Sequence, residues 1–263
     1  KTRNGNVKIK DIQPGTILHD NSRVTAVFKL SPENQEMFNL NSVKVSGEHK
    51  VLFNNNWIKV KEHPDSIKIN DFNERFIYCL NTSNKIIMIN TLTFLDWDEM
   101  KASEYEEIKN VCKDWLPDNK MKPQYLHEYL ESGFVEDTLI TLKTNEERKI
   151  NEIKINDILA NGEKVIGLVK IDASDIVVYE YNYNNKVFKS ANNNQIFDLN
   201  LGISNLFCHT KSPIRYKTKY LYHILTDKNT LTINGVIFFD YNVAIDGFLK
   251  EENKKLLTSL LLK

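Results

Sequence analysis

Two segments of this chain repeat each other in the same order. Residues 8–30 align without gaps with residues 149–171, and residues 78–97 align with residues 222–241. The identical positions of the first pair are Lys8/Lys149, Ile9/Ile150, Ile12/Ile153, Ile17/Ile158, Leu18/Leu159, Val24/Val165 and Lys29/Lys170. The second pair shares Tyr, Thr, Ile, Asn, Phe and Asp in register. Because the copies begin 141 residues apart in the first pair (8 and 149) and 144 in the second (78 and 222), the sequence predicts two related modules in tandem.

Charge and composition restrict the partners of the protein. Its 263 residues include 35 Lys and Arg against 35 Asp and Glu, so no net field attracts nucleic acid, and we predict no nucleic-acid partner. No apolar run approaches the roughly 18 residues of a membrane span, and we predict none. The N-terminal residues do not resemble a signal peptide, and three widely spaced cysteines are typical of reduced thiols, which indicates an intracellular protein. The 32 Asn residues are typical of an AT-rich coding sequence.

Short apolar segments separated by turn formers predict an all-β fold for both modules. The first half contains ten such segments between residues 7 and 96, beginning with a strand predicted at residues 7–9. Their separators include Gln13-Pro14-Gly15 and Asn54-Asn55-Asn56, which favour turns. The second half repeats the pattern from TLITL to GVIFFDY.

A different pattern lies between the modules. Ile108, Val111, Cys112 and Trp115 recur at helical spacing, so residues 98–132 are predicted to form a helical linker. A final helix is predicted at residues 251–263. These boundaries place module one at residues 1–97 and module two at residues 133–250.

The order of motifs in each module resembles the Hint fold, which hedgehog autoprocessing domains and inteins share. Module two has Phe134, then Asp137-Thr138-Leu139-Ile140, then INEIKINDIL, then Ile233-Asn234-Gly235-Val236. Module one has IKDIQPGTIL, then Ser46-Gly47-Glu48-His49 in the place of the family's Thr-x-x-His block, then Ile89-Asn90. The resemblance covers most of the chain outside the linker.

This resemblance implies self-processing chemistry. In the family, a cysteine at the first position of the module attacks the carbonyl of the preceding peptide bond and exchanges an amide for a thioester. The reaction requires a proton for the departing nitrogen and donors for the developing oxyanion, and the Thr-x-x-His block supplies both.

His49 and Ser46 are the candidate catalytic residues of module one. The resemblance implies that His49 is the general acid and that Ser46 supplies the hydroxyl of the family's Thr. The alternative is an ordinary surface turn, in which His49 leads into a strand at Val51 and the Ser46 hydroxyl caps the turn.

Neither module shows the family's nucleophile. Module two has Gly133 at the position of the cysteine, a residue that also suits the end of a helix, and no Thr-x-x-His block is recognisable at residues 190–195. Lys1 aligns with about Lys143, so we expect the first strand of module one to be missing. We therefore predict that this chain does not cleave itself.

Splicing would require a His-Asn pair at the end of the fold. The corresponding residues are Leu95-Asp96 in module one and Phe239-Asp240 in module two, and an ionised aspartate is a poor nucleophile toward its own peptide bond. Asp96 has another interpretation as the N-cap of a helix, with Glu99 completing a capping box. Splicing is therefore not expected.

The sequence thus predicts two tandem Hint-like modules in an all-β protein of self-processing origin. The predicted reaction is cleavage of its own precursor polypeptide by an N-to-S acyl shift, without splicing, turnover, metal or cofactor. The alternative is a non-catalytic β scaffold that binds a protein partner. The residues encoded before Lys1 discriminate the two, because Cys-Phe followed by Asp-Thr there favours processing.

Overall fold

The computed structural model describes residues 1–100, 131–191, 194–198, 202–205, 210–214 and 218–243. The chain divides into two compact units, unit one (Lys1–Glu107) and unit two (Ile108–Lys263). Both are built of β-strands, with three-residue 3-10 helices at Ile9–Asp11, Val60–Glu62 and Ile150–Glu152. The prediction of an all-β fold is confirmed for this part of the chain. The helices predicted at residues 98–132 and 251–263 lie largely or entirely outside the described residues.

Residues 1–100 of unit one form nine strands in three antiparallel arrangements. They are β1 (Val24–Leu30), β2 (Met37–Leu40), β3 (Val43–Ser46), β4 (Lys50–Phe53), β5 (Asn56–Lys59), β6 (Ile67–Lys68), β7 (Ile77–Thr82), β8 (Ile86–Ile89) and β9 (Leu92–Leu95). Strand β1 pairs with β7, β2 lies between β3 and β6, and the third sheet has the order β5-β4-β9-β8. The buried apolar residues of these strands include Val24, Phe28, Leu80 and Phe94.

The part of unit two that the structure describes forms eleven strands. They are β10 (Leu139–Thr141), β11 (Glu147–Lys149), β12 (Val165–Asp172), β13 (Val178–Tyr183), β14 (Lys186–Ser190), β15 (Gln195–Asp198), β16 (Gly202–Asn205), β17 (Thr210–Ile214), β18 (Tyr220–Thr226), β19 (Thr230–Ile233) and β20 (Val236–Phe239). Pairs form between β10 and β11 and between β12 and β18, and the larger sheets are β14-β13-β17 and β16-β15-β20-β19. Phe134, Tyr181, Phe188 and Phe238 fill the core.

The aligned segments of the sequence occupy equivalent strands. Strands β1 and β12 start at the aligned Val24 and Val165, and each has a register shift directly after that residue. The hairpins β8-β9 and β19-β20 begin and end at positions 144 residues apart, as their bounds at 86 and 230 show. Backbone hydrogen bonds repeat as well, since Asp96 N–H donates to Lys85 and Asp240 N–H donates to Asn229. The shared apolar alternation therefore sets the same local register twice.

The strand predicted at residues 7–9 is wrong. The N–H of Asp11 donates to Lys8 and that of Ile12 donates to Ile9, which closes a 3-10 turn over Ile9–Asp11. The aligned Ile150–Glu152 makes the same turn. Three apolar residues are too few to distinguish a strand from such a turn by periodicity.

The abundant Asn has a structural use that its interpretation as a mark of coding bias missed. Among the described residues, twelve of the fifteen non-glycine residues with positive φ are Asn, at hairpin turns such as Asn54-Asn55 and Asn184-Asn185. Asn tolerates the left-handed conformation better than other residues with a side chain. The exceptions, Ser42, Lys85 and Glu99, therefore need an explanation of their own.

Candidate functional site

Ser46 and His49 flank a tight turn between two sheets of unit one. Ser46 ends β3, and its carbonyl accepts the N–H of His49 at 3.2 Å, directly before β4. Gly47 is required in this turn by a close approach, because a Cβ there would lie 2.5 Å from Cε2 of Phe38. The structure therefore joins Ser46 to His49 through the backbone of the turn.

The His49 imidazole is held against the end of β9. Its side chain is 14% exposed, its ring centre lies 5.8 Å from that of Phe94, and its Nδ1 lies 3.9 Å from a carboxylate oxygen of Glu99. Burial lowers the pKa of His49, opposed by the Glu99 carboxylate and by a hydrogen bond with the backbone of Leu95. The ring is thus mainly neutral at pH 7 and lies beside the peptide unit that leads into Asp96.

Residues 1–3 lie beside residues 17–19 of unit one. Thr2 bridges to Leu18, and Lys1 O accepts the N–H of His19. The same bridge in unit two joins Leu142 to Leu159, so Lys1 corresponds to Thr141 rather than to Lys143. The residues of unit two from Gly133 to Ile140 thus have no counterpart within residues 1–100.

In unit two, the buried side-chain carboxamide of Asn194 binds the backbone of Gly133. Asn194 accepts the N–H of Gly133 on Oδ1 at 3.2 Å. Its Nδ2 donates to Gly133 O at 3.4 Å and to Ala191 O at 3.1 Å. The Gly133 carbonyl also accepts the N–H of Ala191 at 2.9 Å. The N–H of Gly133 is therefore bound by Asn194, and its carbonyl is bound by both Asn194 and Ala191.

Asn194 occupies in unit two the position of His49 in unit one. Strands β4 and β15 are equivalent, because each pairs with the aligned Phe of the hairpin that follows. Those pairs join Val51 to Phe94 and Ile196 to Phe238. Two residues before Val51 and Ile196 stand His49 and Asn194. Sequence reasoning missed Asn194 because neither the imidazole nor the hydroxyl of the motif survives there, and only the spacing to the following apolar strand indicates it.

Gly133 has no room for a side chain. Its φ is +123°, a conformation that L-residues rarely adopt, and a Cβ would lie 2.9 Å from Cδ1 of Ile171 and 3.3 Å from Tyr222 O. The neighbouring Phe134 exchanges both of its backbone hydrogen bonds with Tyr222. A cysteine at position 133 would therefore displace the segment that Asn194 binds.

The two aspartates at the ends of the repeat are bound alike. Asp96 accepts the N–H of Thr82 at 2.9 Å, and Asp240 accepts that of Thr226 at 3.3 Å. Burial raises the pKa of Asp96 to about 7, the nearby Asp98 adds to that rise, and Lys85 opposes it. Both positions thus carry a carboxyl group where splicing requires a carboxamide.

The capping-box interpretation of Asp96 is wrong. Its carboxylate does accept the N–H of Asp98 at 3.2 Å, as an N-cap would. Glu99 instead binds Lys50 at 3.0 Å and approaches His49, and its φ of +49° is left-handed. A helix cannot run through a residue in that conformation, and the turn after β9 is confined to residues 97 and 98.

His223 is a buried histidine beside the Gly133 segment. Its Nδ1 accepts the N–H of Ile224 at 2.9 Å, its ring lies 5.5 Å from that of Phe134, and its Nε2 has no hydrogen-bond partner among the described residues. Burial lowers the pKa of His223 to about 4. The aligned position in unit one is the buried Cys79, whose thiol pKa burial raises, so that thiol is inert at neutral pH.

The low pKa of His223 predicts that unit two loses stability as the pH falls from about 6.5 to about 4. Over that range the unfolded chain takes up a proton that the folded chain does not. The stability that depends on neutral His223 is therefore fully present above the unfolded pKa and is lost below the folded pKa. The loss is about 3 kcal/mol. Hydrogen-exchange protection of β18 between pH 7 and pH 4.5 measures it, and His223→Leu should flatten that dependence. An unchanged slope in that variant would assign the loss to other groups.

Within the described residues, no group of three or more His, Cys, Asp or Glu side chains is placed to hold a metal ion. None of the helices there has the length and hydropathy needed to cross a membrane.

No protein-family model and no curated protein matches the chain. Solved structures to which the chain is similar include the gp41-1 intein, with 11% identity and a TM-score of 0.33 over 42% of this chain and 99% of that one. A DnaB intein from Synechocystis has 13% identity and a TM-score of 0.33, with 42% and 99% covered. A bacterial intein-like domain from Clostridium thermocellum has 14% identity and a TM-score of 0.34, with 41% and 97% covered.

Proposed function

We propose that this chain consists of two tandem modules of the Hint type, from a protein that processes its own precursor. The observation that carries the proposal is that the Asn194 carboxamide forms hydrogen bonds with both the N–H and the carbonyl of Gly133. It supports the proposal because the residue equivalent to His49 binds the backbone at the position where the resembled family breaks its peptide bond. Module two is then a module that binds the junction without reacting.

The loss of chemistry in module two has two causes. Gly133 has neither a nucleophile nor space for one. The carboxamide of Asn194 donates and accepts hydrogen bonds but does not supply a proton at neutral pH, whereas an imidazole does. Hydrogen bonds that hold the ground state alone do not accelerate a reaction.

Module one retains the proton donor. By its equivalence to Asn194, His49 would face the peptide unit equivalent to Gly133 in a chain that contains such a segment. A cysteine there would attack the carbonyl carbon of the residue before it, so that a C–S bond forms and the C–N bond breaks. The neutral His49 ring takes the proton of the attacking thiol and passes it to the departing nitrogen, and the Ser46 hydroxyl and the turn amides stabilise the oxyanion. The substrate is the protein's own precursor polypeptide.

This proposal predicts thiol-dependent cleavage in an extended chain. A reporter domain, a cysteine and a copy of residues 134–140 are placed ahead of Lys1, so that module one receives the strand that module two already has. Incubation with a strong thiol should release the reporter, and His49→Ala should slow the release by roughly 10²- to 10⁴-fold. Alanine in place of the added cysteine is the control, and equal release from the His49→Ala chain would remove His49 from the mechanism.

A second candidate is a protein-binding scaffold without chemistry. It is favoured by exposed apolar residues at equivalent places, since Leu52 on β4 is 39% exposed and Phe197 on β15 is 45% exposed. Solvent-facing apolar side chains at a repeated position suit a binding surface. A folded extended chain that keeps its reporter in thiol would favour this function over processing.

A further inference from the structure

Lys85, Asp96 and Asp98 are buried together in unit one. Their side chains are 8%, 0% and 2% exposed. The Lys85 Nζ lies 2.6 Å from Oδ2 of Asp98 and 3.7 Å from Oδ2 of Asp96. Lysine and aspartate side chains are rarely buried to this extent, and burial of ions in a medium of low dielectric is costly. The Lys85 amine thus faces two carboxyl groups at a site that is almost completely shielded from water.

The backbone fixes Lys85 in this place. Its N–H donates to Thr82 O and its carbonyl accepts the N–H of Asp96 at 3.1 Å. Its φ of +64° is left-handed, where the aligned turn of unit two has the better suited Asn229. The left-handed backbone conformation does not favour lysine. The stabilisation that Lys85 provides therefore comes from the contacts of its side chain.

The carboxyl group of Asp98 is held from two sides. Its Oδ1 accepts a hydrogen bond from Nδ2 of Asn81 at 2.8 Å, while Oδ2 faces the Lys85 amine. Asn81 is fully buried on β7, so this donor is fixed in place. An amine, a carboxyl carbon and an amide donor on the opposite oxygen are the three parts that aminolysis of an acid requires.

We propose that Lys85 and Asp98 form an intramolecular amide bond in unit one. The Nζ–Cγ bond forms and one Cγ–O bond of Asp98 breaks. The ammonium gives up two protons to the departing oxygen, so one water molecule leaves and both charges disappear. No oxidant, reductant or cofactor is required.

Burial favours each step of this condensation. Only a neutral amine is a nucleophile, and the Lys85 ammonium can pass a proton directly to the Asp98 carboxylate oxygen that it contacts at 2.6 Å. Burial raises the pKa of Asp96 to about 7, so near neutral pH this carboxyl group carries a proton that it can pass to the leaving oxygen. Asn81 stabilises the charge that develops on Oδ1, and fixed neighbours raise the effective concentration of the amine.

Unit two provides an internal control. The residues aligned with Asn81, Lys85 and Asp98 are Leu225, Asn229 and Asn242, and only the aspartate at position 240 is retained. No amine stands at the position of Lys85 there. The proposal therefore predicts a single crosslink, in unit one.

The test is the intact mass of the purified full-length chain, incubated folded at neutral pH and then denatured. We expect a mass lower than that of the sequence by one water molecule, and a branched tryptic peptide that joins the segments around Lys85 and Asp98, with no cleavage after Lys85. Full mass and normal cleavage after Lys85 in the folded chain would reduce the cluster to an ion pair and overturn the proposal. A branch that maps to Asp96 would overturn the assignment of Asp98.

Two variants separate the chemistry from folding. Lys85→Arg keeps the charge but lacks a reactive amine, so it should show full mass. Asp98→Asn keeps an electrophile and should lose ammonia instead of water, which identifies the reacting carbonyl. Asp96→Asn should leave most of the chain at full mass if its proton is needed, whereas crosslinking as complete as in the parent chain would remove Asp96 from the reaction. Hydrogen exchange of β7 shows that each variant is folded.

Discussion

Replacing Gly133 with alanine is expected to lower the free energy of unfolding of unit two by about 3 kcal/mol. Two effects add. The φ of +123° is strained for any residue with a Cβ, and the new methyl group would lie 2.9 Å from Ile171 and 3.2 Å from Leu221. The contacting atoms include the backbone of Tyr222, so the site cannot relax by moving one flexible side chain.

Gly162→Ala is the matched control for this prediction. Its φ of +82° is also positive, but the nearest atom to a Cβ there is Nζ of Lys228 at 3.5 Å, which is ordinary contact. The control should cost only about 1 kcal/mol, because it adds backbone strain without overlap. Urea titration followed by hydrogen exchange at β18 compares the two. Equal losses would show that the space around Gly133 is not restricted.

Asn194→Leu is expected to lower the stability of unit two by about 3 kcal/mol, because it leaves buried backbone groups of Gly133 without their partner. The leucine has a similar volume but neither donates nor accepts, so the Gly133 N–H in particular loses its bond at 3.2 Å. The measurement is the same urea titration, with exchange of the Gly133 and Phe134 amides as the local readout.

Asn161→Leu serves as the comparison, since the Asn161 side chain bonds to Thr232 Oγ1 at an exposed site. Water replaces an exposed hydrogen bond at little cost, so that variant should lose well under 1 kcal/mol. Loss of stability in Asn194→Leu no greater than in Asn161→Leu would mean that the carboxamide does not hold the Gly133 segment. The proposal that Asn194 binds a Hint-type junction would then lose its main support.

The strands could be predicted from the sequence because their signals are local. Alternating apolar residues such as those of residues 24–30, bounded by Asn-rich and Gly-rich turns, determine a strand without knowledge of its partner. The repeat added register, because two copies with the same alternation bury the same residues. The position of His49 in a turn before a strand followed from the same signals.

The contacts that give the sites their character could not be predicted in this way. Asn194 has no recognisable motif, and its role depends on a residue 61 positions away in the chain. No sequence pattern indicates the contact of Lys85 with Asp98, because each is an ordinary surface residue by type and only the tertiary fold buries both. Glu99 satisfied the spacing of a capping box, but its left-handed backbone excludes a helix that runs through this residue. Long-range contacts and special backbone conformations are set by the tertiary fold rather than by local propensity.

We propose that both modules hold a Hint-type junction and that only module one keeps the means to break it. Intact mass spectrometry tests this proposal on two chains in the same strong thiol at neutral pH, the chain of 263 residues and the chain extended by a cysteine and residues 134–140 ahead of Lys1. The predicted result is one break in the extended chain, before its added cysteine, and no break in the other. A break beside Gly133 or between Asp96 and Trp97, or an extended chain that folds and stays whole, would contradict it.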